Sequence, residues 1–128
     1  MKILLIEDSR TLQAAIRRAL AKAGHEVILS TDGREGLDAA RKVVPDLILL
    51  DMMLPSLPGS DVLQALKSHP ATSSIPVFVL TGLSQKNEEK VLRAGAARYF
   101  EKSDFLLGHN FESLVKAVGS WPSKELTD

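Results

Sequence analysis

Leu47-Ile48-Leu49-Leu50-Asp51-Met52-Met53-Leu54-Pro55 starts as an unbroken apolar run, turns to a carboxylate at Asp51 and closes on a proline. A strand with one wet face would alternate apolar and polar residues. A continuous run of this length indicates a strand covered on both faces, as in a parallel sheet flanked by helices. Three further runs read the same way: Ile3-Leu4-Leu5-Ile6, Val27-Ile28-Leu29 and Val77-Phe78-Val79-Leu80, with a weaker fifth at Arg98-Tyr99-Phe100. The segments between them are then helical crossovers.

The first crossover carries Leu12, Ala15, Ile16, Ala19, Leu20 and Ala23 at three- and four-residue intervals, behind Ser9 as N-cap and ahead of Gly24 as stop. The second opens at Asp32, with Glu35 three residues on, and ends before Pro45. A third starts near Gly59 and carries Leu63 and Leu66, and a fourth follows Ser84 and ends around Gly95. The last runs from about Asn110, places Phe111, Leu114, Val115 and Val118 on one side and stops at Gly119. Strict alternation of five strands and five helices predicts an α/β, flavodoxin-like fold. Its doubly wound five-stranded parallel sheet has right-handed crossovers and strand order 2-1-3-4-5.

The 128 residues suit one domain, expected over 1–120, with 121–128 as a C-terminal tail or the start of a linker and Trp121 beyond the last helix, outside the fold core, either packed or free. Sixteen basic residues balance sixteen acidic ones, which lacks the electrostatic footprint of a nucleic-acid binder. The chain has no cysteine, so disulfide, thiolate and Cys-ligated zinc chemistry are excluded, and a reducing, cytoplasmic location is expected. Ile3 to Ile6 is cut off by Glu7 and Asp8, too short for a signal-peptide core or a membrane span, and no membrane association is expected.

In an open doubly wound sheet, ligands bind beyond the carboxyl ends of the strands where strand order reverses, here between strands one and three. Glu7 and Asp8 follow strand one and Asp51 follows strand three, so three carboxylates should converge there. Singly, Glu7 and Asp8 read as polar residues ending a buried strand and Asp51 as a loop aspartate before a turn. Together they form an all-oxygen cluster that suits a hard cation such as Mg²⁺. Thr81 after strand four and Lys102 after strand five add a hydroxyl and an ammonium suited to phosphate. Phosphoryl transfer asks a protein mainly for positioning and charge stabilisation, which these groups provide around a carboxylate nucleophile.

With these residues in view, the chain resembles the receiver domain of two-component response regulators, of the chemotaxis-regulator kind, from Lys2 to about Gly119. The matching pieces are Glu7-Asp8, Asp51-Met52-Met53-Leu54-Pro55 with Gly59, Thr81-Gly82, and Ala94-Gly95-Ala96 leading through Tyr99 to Lys102. The resemblance implies that Asp51 accepts a phosphoryl group from a phosphohistidine on a sensor histidine kinase or phosphotransfer protein. It implies that Glu7, Asp8, the Asp51 carboxylate and the Met53 backbone carbonyl hold Mg²⁺, and that Thr81 and Lys102 bind phosphoryl oxygens. Tyr99 would change rotamer as Thr81 moves, altering the surface of helix four, strand five and helix five, which addresses a downstream effector or an output domain. Such a protein is a signalling switch that catalyses only its own phosphorylation and dephosphorylation.

The pattern departs from the family after Lys102, where receivers usually carry a proline in a cis bond and this chain has Ser103. A non-proline cis bond would cost ~3–4 kcal/mol, so either that strain is retained or the loop runs differently. Met53 and Leu83 are apolar and offer no side-chain hydrogen bond to an attacking water, which implies a long-lived phosphoryl-aspartate. Arg10, Arg17, Arg18 and Lys22 form a basic exposed side of helix one, readable as a donor-docking face or as an ordinary solvated face. His25, His69 and His109 have no metal-ligand spacing. An aspartyl phosphohydrolase would need a general acid where Met53 stands, and a flavin site would need a glycine- and hydroxyl-rich loop where Glu7 and Asp8 stand. A receiver-like module that only binds partners would not need the acidic, threonine and lysine set.

Overall fold

The computed structural model describes residues 1–82, 88–103 and 111–122. Its strands are β1 (Lys2–Ile6), β2 (Glu26–Ser30), β3 (Leu47–Asp51), β4 (Val77–Thr81) and β5 (Arg98–Glu101). The helices among the described residues are α1 (Arg10–Lys22), α2 (Gly33–Val43), α3 (Gly59–Ser68), α4 (Glu88–Arg93) and α5 (Glu112–Gly119). All neighbouring strands pair in parallel, in the order β2-β1-β3-β4-β5. This is the arrangement read from the apolar runs.

Those runs are continuous because each strand contributes to two cores. Ile3, Leu5, Leu47, Leu49, Phe78 and Leu80 face Leu12, Ile16 and Leu20 of α1 and Leu114, Ala117 and Val118 of α5. Leu4, Ile6, Ile48, Leu50, Val77 and Val79 face Ala40 of α2, Val62, Leu63 and Leu66 of α3, and Val91 of α4. Of the described helices, two thus cover one side of the sheet and three the other. Burying each such aliphatic side chain contributes ~1.5–3 kcal/mol before conformational entropy is set against it, so these layers fix where the strand ends project.

Local signals act as expected at the helix starts. The Ser9 hydroxyl accepts the Leu12 amide at 3.2 Å, and the Asp32 carboxylate accepts the Glu35 amide at 2.8 Å. Glu35 reaches back to the Thr31 amide at 2.7 Å, one residue before the cap, so the reciprocal box is stretched by one position. After α1 the chain turns through Gly24 at φ 96°, a left-handed value that glycine adopts without a Cβ clash. Before Pro45 that task falls to Val44, at φ 48° and exposed.

The expected starts of the last two crossover helices, Ser84 and Asn110, lie outside the described residues, as do Leu83, His109 and the tail 123–128. Trp121 does not stand apart from the core. Its ring meets Phe78 edge-on with centroids 5.4 Å apart, so packing continues past α5. No described helix is long and apolar enough to cross a membrane.

Candidate functional site

The register of the sheet decides where the polar residues end up. Ile6 pairs with Leu50, Asp51 with Leu80, and Thr81 with Glu101, so Glu7, Asp51, Thr81 and Lys102 all lie at the carboxyl rim. Glu7 and Asp51 are fully buried and Thr81 is 3% exposed, whereas Asp8 is open to solvent. One carboxylate oxygen from each of Glu7, Asp8 and Asp51 lies within 4.8 Å of the others. The convergence expected from strand order is therefore present.

Backbone and side-chain hydrogen bonds hold this cluster. The Ser9 amide donates to Glu7 Oε2 at 3.1 Å and the Met53 amide donates to Asp51 Oδ1 at 2.9 Å. Gln13 of α1, itself buried, donates its amide to the Glu7 carbonyl. That contact escaped the sequence reading, although its signal was available: Gln13 sits three residues before Ile16 on the apolar stripe of α1, a place for a polar residue only if it finds a partner. Below Asp51 the chain doubles back tightly. A Cβ on Gly59 would lie 2.4 Å from the Met52 Cα and 2.6 Å from the Asp51 carbonyl oxygen, so only glycine lets α3 start this close to the site.

Lys102 completes the cluster. Its ammonium lies 3.1 Å from Glu7 Oε1, 3.2 Å from Glu7 Oε2 and 3.1 Å from Asp51 Oδ2. Its own amide donates to the Thr81 carbonyl at 2.7 Å, tying β5 to the end of β4. The only cis bond among the described residues is Trp121–Pro122, so Lys102–Ser103 is trans. The strained cis bond considered for Ser103 is therefore not formed, and the lysine still reaches both carboxylates.

The electrostatics follow from burial. Desolvation, then repulsion from Asp51, pushes the Glu7 carboxyl up to about 7, against the pull of the Ser9 amide and Lys102. Asp51 is also raised by burial, with the Met53 amide and Lys102 opposing. Burial alone would lower Lys102, but the Asp51 and Glu7 carboxylates outweigh it and the ammonium is raised. Fully ionised, these three carboxylates against the Lys102 ammonium leave, among the described residues, two uncompensated negative charges, an amount that one divalent cation would neutralise. Glu7 Oε1 and Asp51 Oδ2 are buried and face the ammonium without accepting a hydrogen bond. Two such oxygens beside an exposed third carboxylate are donors suited to a hard, oxygen-seeking ion.

Beside this cluster, a cavity of about 270 Å³ separates α3 from α4 and is lined in part by Met52, Thr81 and Tyr99. Tyr99, in β5 opposite Val79, is half-buried, and its hydroxyl is raised by burial and by the charges of Glu101 and Glu88. The structure thus brings Glu7, Asp8, Asp51 and Lys102 into one constellation and places Thr81 and Tyr99 together at the adjoining cavity.

Comparison with known proteins decides the family. Residues 3–107 match the model of the response regulator receiver domain. The chain belongs to that family. The response regulator MprA of Mycolicibacterium vanbaalenii is 37% identical over 103 residues, 80% of this chain but 44% of that protein, so the chain spans less than half the length of this relative. The polar-differentiation response regulator DivK of Brucella anthropi is 34% identical over 117 residues, covering 91% of this chain and 95% of DivK. Among solved structures, the receiver domain of the sensor histidine kinase PA1611 from Pseudomonas aeruginosa superposes with a TM-score of 0.72 at 31% identity. The match covers 79% of this chain and 84% of that one. As a receiver domain, this chain is a phosphoryl-accepting switch of two-component signalling. Receiver domains interact with histidine kinases or phosphotransfer proteins and with effectors, and they typically bind Mg²⁺; the acidic cluster is compatible with that ion.

Proposed function

We propose that Asp51 is the phosphoryl acceptor, and the observation that carries the reading is its buried carboxylate flanked by Glu7, Asp8 and the Lys102 ammonium. Asp51 attacks phosphorus, the P–N bond of the donor phosphohistidine breaks, and the electron pair leaves on the imidazole. Burial and the Met53 amide fix the attacking carboxylate, leaving little reorganisation at the moment of transfer. Glu7, Asp8, Asp51 and the Met53 carbonyl would hold Mg²⁺, which supplies positive charge to the phosphoryl oxygens. The solved PA1611 receiver carries a magnesium ion in its active-site cleft, which supports this assignment.

Lys102, already between two carboxylates, would transfer its contacts to the phosphoryl oxygens, and the Thr81 hydroxyl would bind another. Thr81 movement would then draw the Tyr99 ring into the cavity they share, changing the face made by α4, β5 and α5 that an effector or output domain reads. Met53, apolar and 54% exposed at the mouth, gives water no strong side-chain acceptor, so the phosphoryl-aspartate persists. The receiver unit covers 1–120, acts in the cytoplasm and takes its phosphate from a sensor histidine kinase or phosphotransfer protein.

The test is incubation with a small acyl phosphate and Mg²⁺, followed by intact mass. One phosphate adduct on the wild type and none on Asp51→Asn is expected. An adduct that survives the substitution would move the acceptor elsewhere.

A further inference from the structure

The cavity between α3 and α4 has two chemically distinct parts. Its inner wall is mostly apolar, made by buried Leu63 and Val91 and half-buried Met52 and Tyr99, with buried Thr81 as its polar member and Ala94 at one side. Ser60 and Lys90 line it from exposed positions. An apolar cavity of ~150 Å³ accepts benzene, whereas drug-sized ligands fill ~300–1,000 Å³. At about 270 Å³ this space therefore suits a single ring with a small substituent.

The charge at its edge narrows the substituent. Glu89 is engaged by Arg93 at 2.9 Å, and Lys90 has no carboxylate partner among the described residues. An unpaired ammonium beside an apolar cavity complements a molecule with an apolar body and an anionic head. We propose that this cavity is a binding site for a small aromatic carboxylate, its ring against Leu63, Val91 and Tyr99 and its carboxylate at Lys90.

Occupancy has a regulatory consequence, which rests on the reading of Asp51, Thr81 and Tyr99 given above. A ring lodged here takes the space that the Tyr99 ring needs in order to move inward. The ligand therefore favours the unphosphorylated arrangement, and by linkage the phosphorylated protein binds it more weakly by the same factor.

The experiment titrates benzoate into unphosphorylated, metal-free protein and follows methyl resonances by NMR. Saturable shifts centred on Leu63, Val91 and Ala94 are expected. Benzyl alcohol, with the same ring and no charge, should bind about fivefold more weakly, the upper range for one solvent-accessible ion pair. Lys90→Gln should erase that difference, and Ala94→Leu should abolish binding of both probes while its unfolding midpoint confirms that it is folded. Shifts that fail to saturate, centre elsewhere or persist in Ala94→Leu would overturn the site. A second arm measures acyl-phosphate labelling of the wild type with and without benzoate. Labelling without benzoate tests the acceptor assignment by itself; normal labelling that saturating benzoate leaves unchanged overturns the competition.

Discussion

Replacing Lys102 with methionine keeps most of the side-chain stem and removes the one cation that, among the described residues, faces two fully buried carboxylates. Because the ammonium is itself only 17% exposed, solvent screens the lost interaction poorly. Removing one partner of a buried ion pair costs ~3–5 kcal/mol, most of it the penalty of stranding the other charge. The deficit should depend on pH in a defined direction. Glu7 is raised from 4.5 to about 7 in the folded protein, so its contribution to stability is whole below 4.5 and is lost as pH rises through 7. That range of two to three units corresponds to about 3 kcal/mol in the wild type. Without Lys102 the folded value climbs further, since a lowering influence has gone. Urea unfolding with chelator present should therefore show Lys102→Met less stable by about 3–5 kcal/mol at pH 8 and by under about 2 kcal/mol at pH 5, where Glu7 is protonated. Millimolar Mg²⁺ at pH 8 should stabilise the variant more than the wild type, because the ion replaces the missing charge. A deficit equal at both pH values and indifferent to Mg²⁺ would refute this account of the cluster.

Three further outcomes are expected. Gly59→Ala drives a methyl into the backbone of Asp51 and Met52 and should lower stability by about 1–3 kcal/mol while weakening Mg²⁺ binding, both measurable in one pair of urea titrations with and without the ion. Val44→Asn should raise the unfolding midpoint by the equivalent of about 1 kcal/mol, since asparagine tolerates the left-handed backbone that an exposed β-branched valine holds at φ 48°. Met53→Asn places a hydrogen-bonding side chain at the mouth of the site and should shorten the lifetime of the Asp51 adduct, followed as loss of the phosphate mass after the donor is removed; an unchanged lifetime would locate control of hydrolysis elsewhere.

The three central strands were legible because burial on both faces leaves no polar position inside them, as in Val77 to Leu80. Glu7, Asp8 and Asp51 were legible for a topological reason: once strand order is known, residues far apart in the chain share one rim. The reach of Lys102 was not, since it depends on the path through Ser103, which only the folded loop determines. Gln13 was overlooked because periodicity weighs side chains as apolar or polar and does not ask which carbonyl a buried amide meets. The cavity by Thr81 and Tyr99 arises from the spacing of α3 and α4, a property of no single segment. Trp121 followed the end of α5 in sequence, and nothing local showed that it would turn back onto Phe78.

That edge-on contact places the protein's single tryptophan at a useful distance from its chemistry. Trp121 shares a surface hollow with Met1, Asp46 and Pro76, residues that precede β1, β3 and β4, so it sits at the amino-terminal rim, opposite Asp51. A metal or phosphoryl group at the other rim cannot quench it by contact. Its emission is an intrinsic optical reporter of how β4 and α5 fit together, and any change on phosphorylation has travelled the length of the sheet.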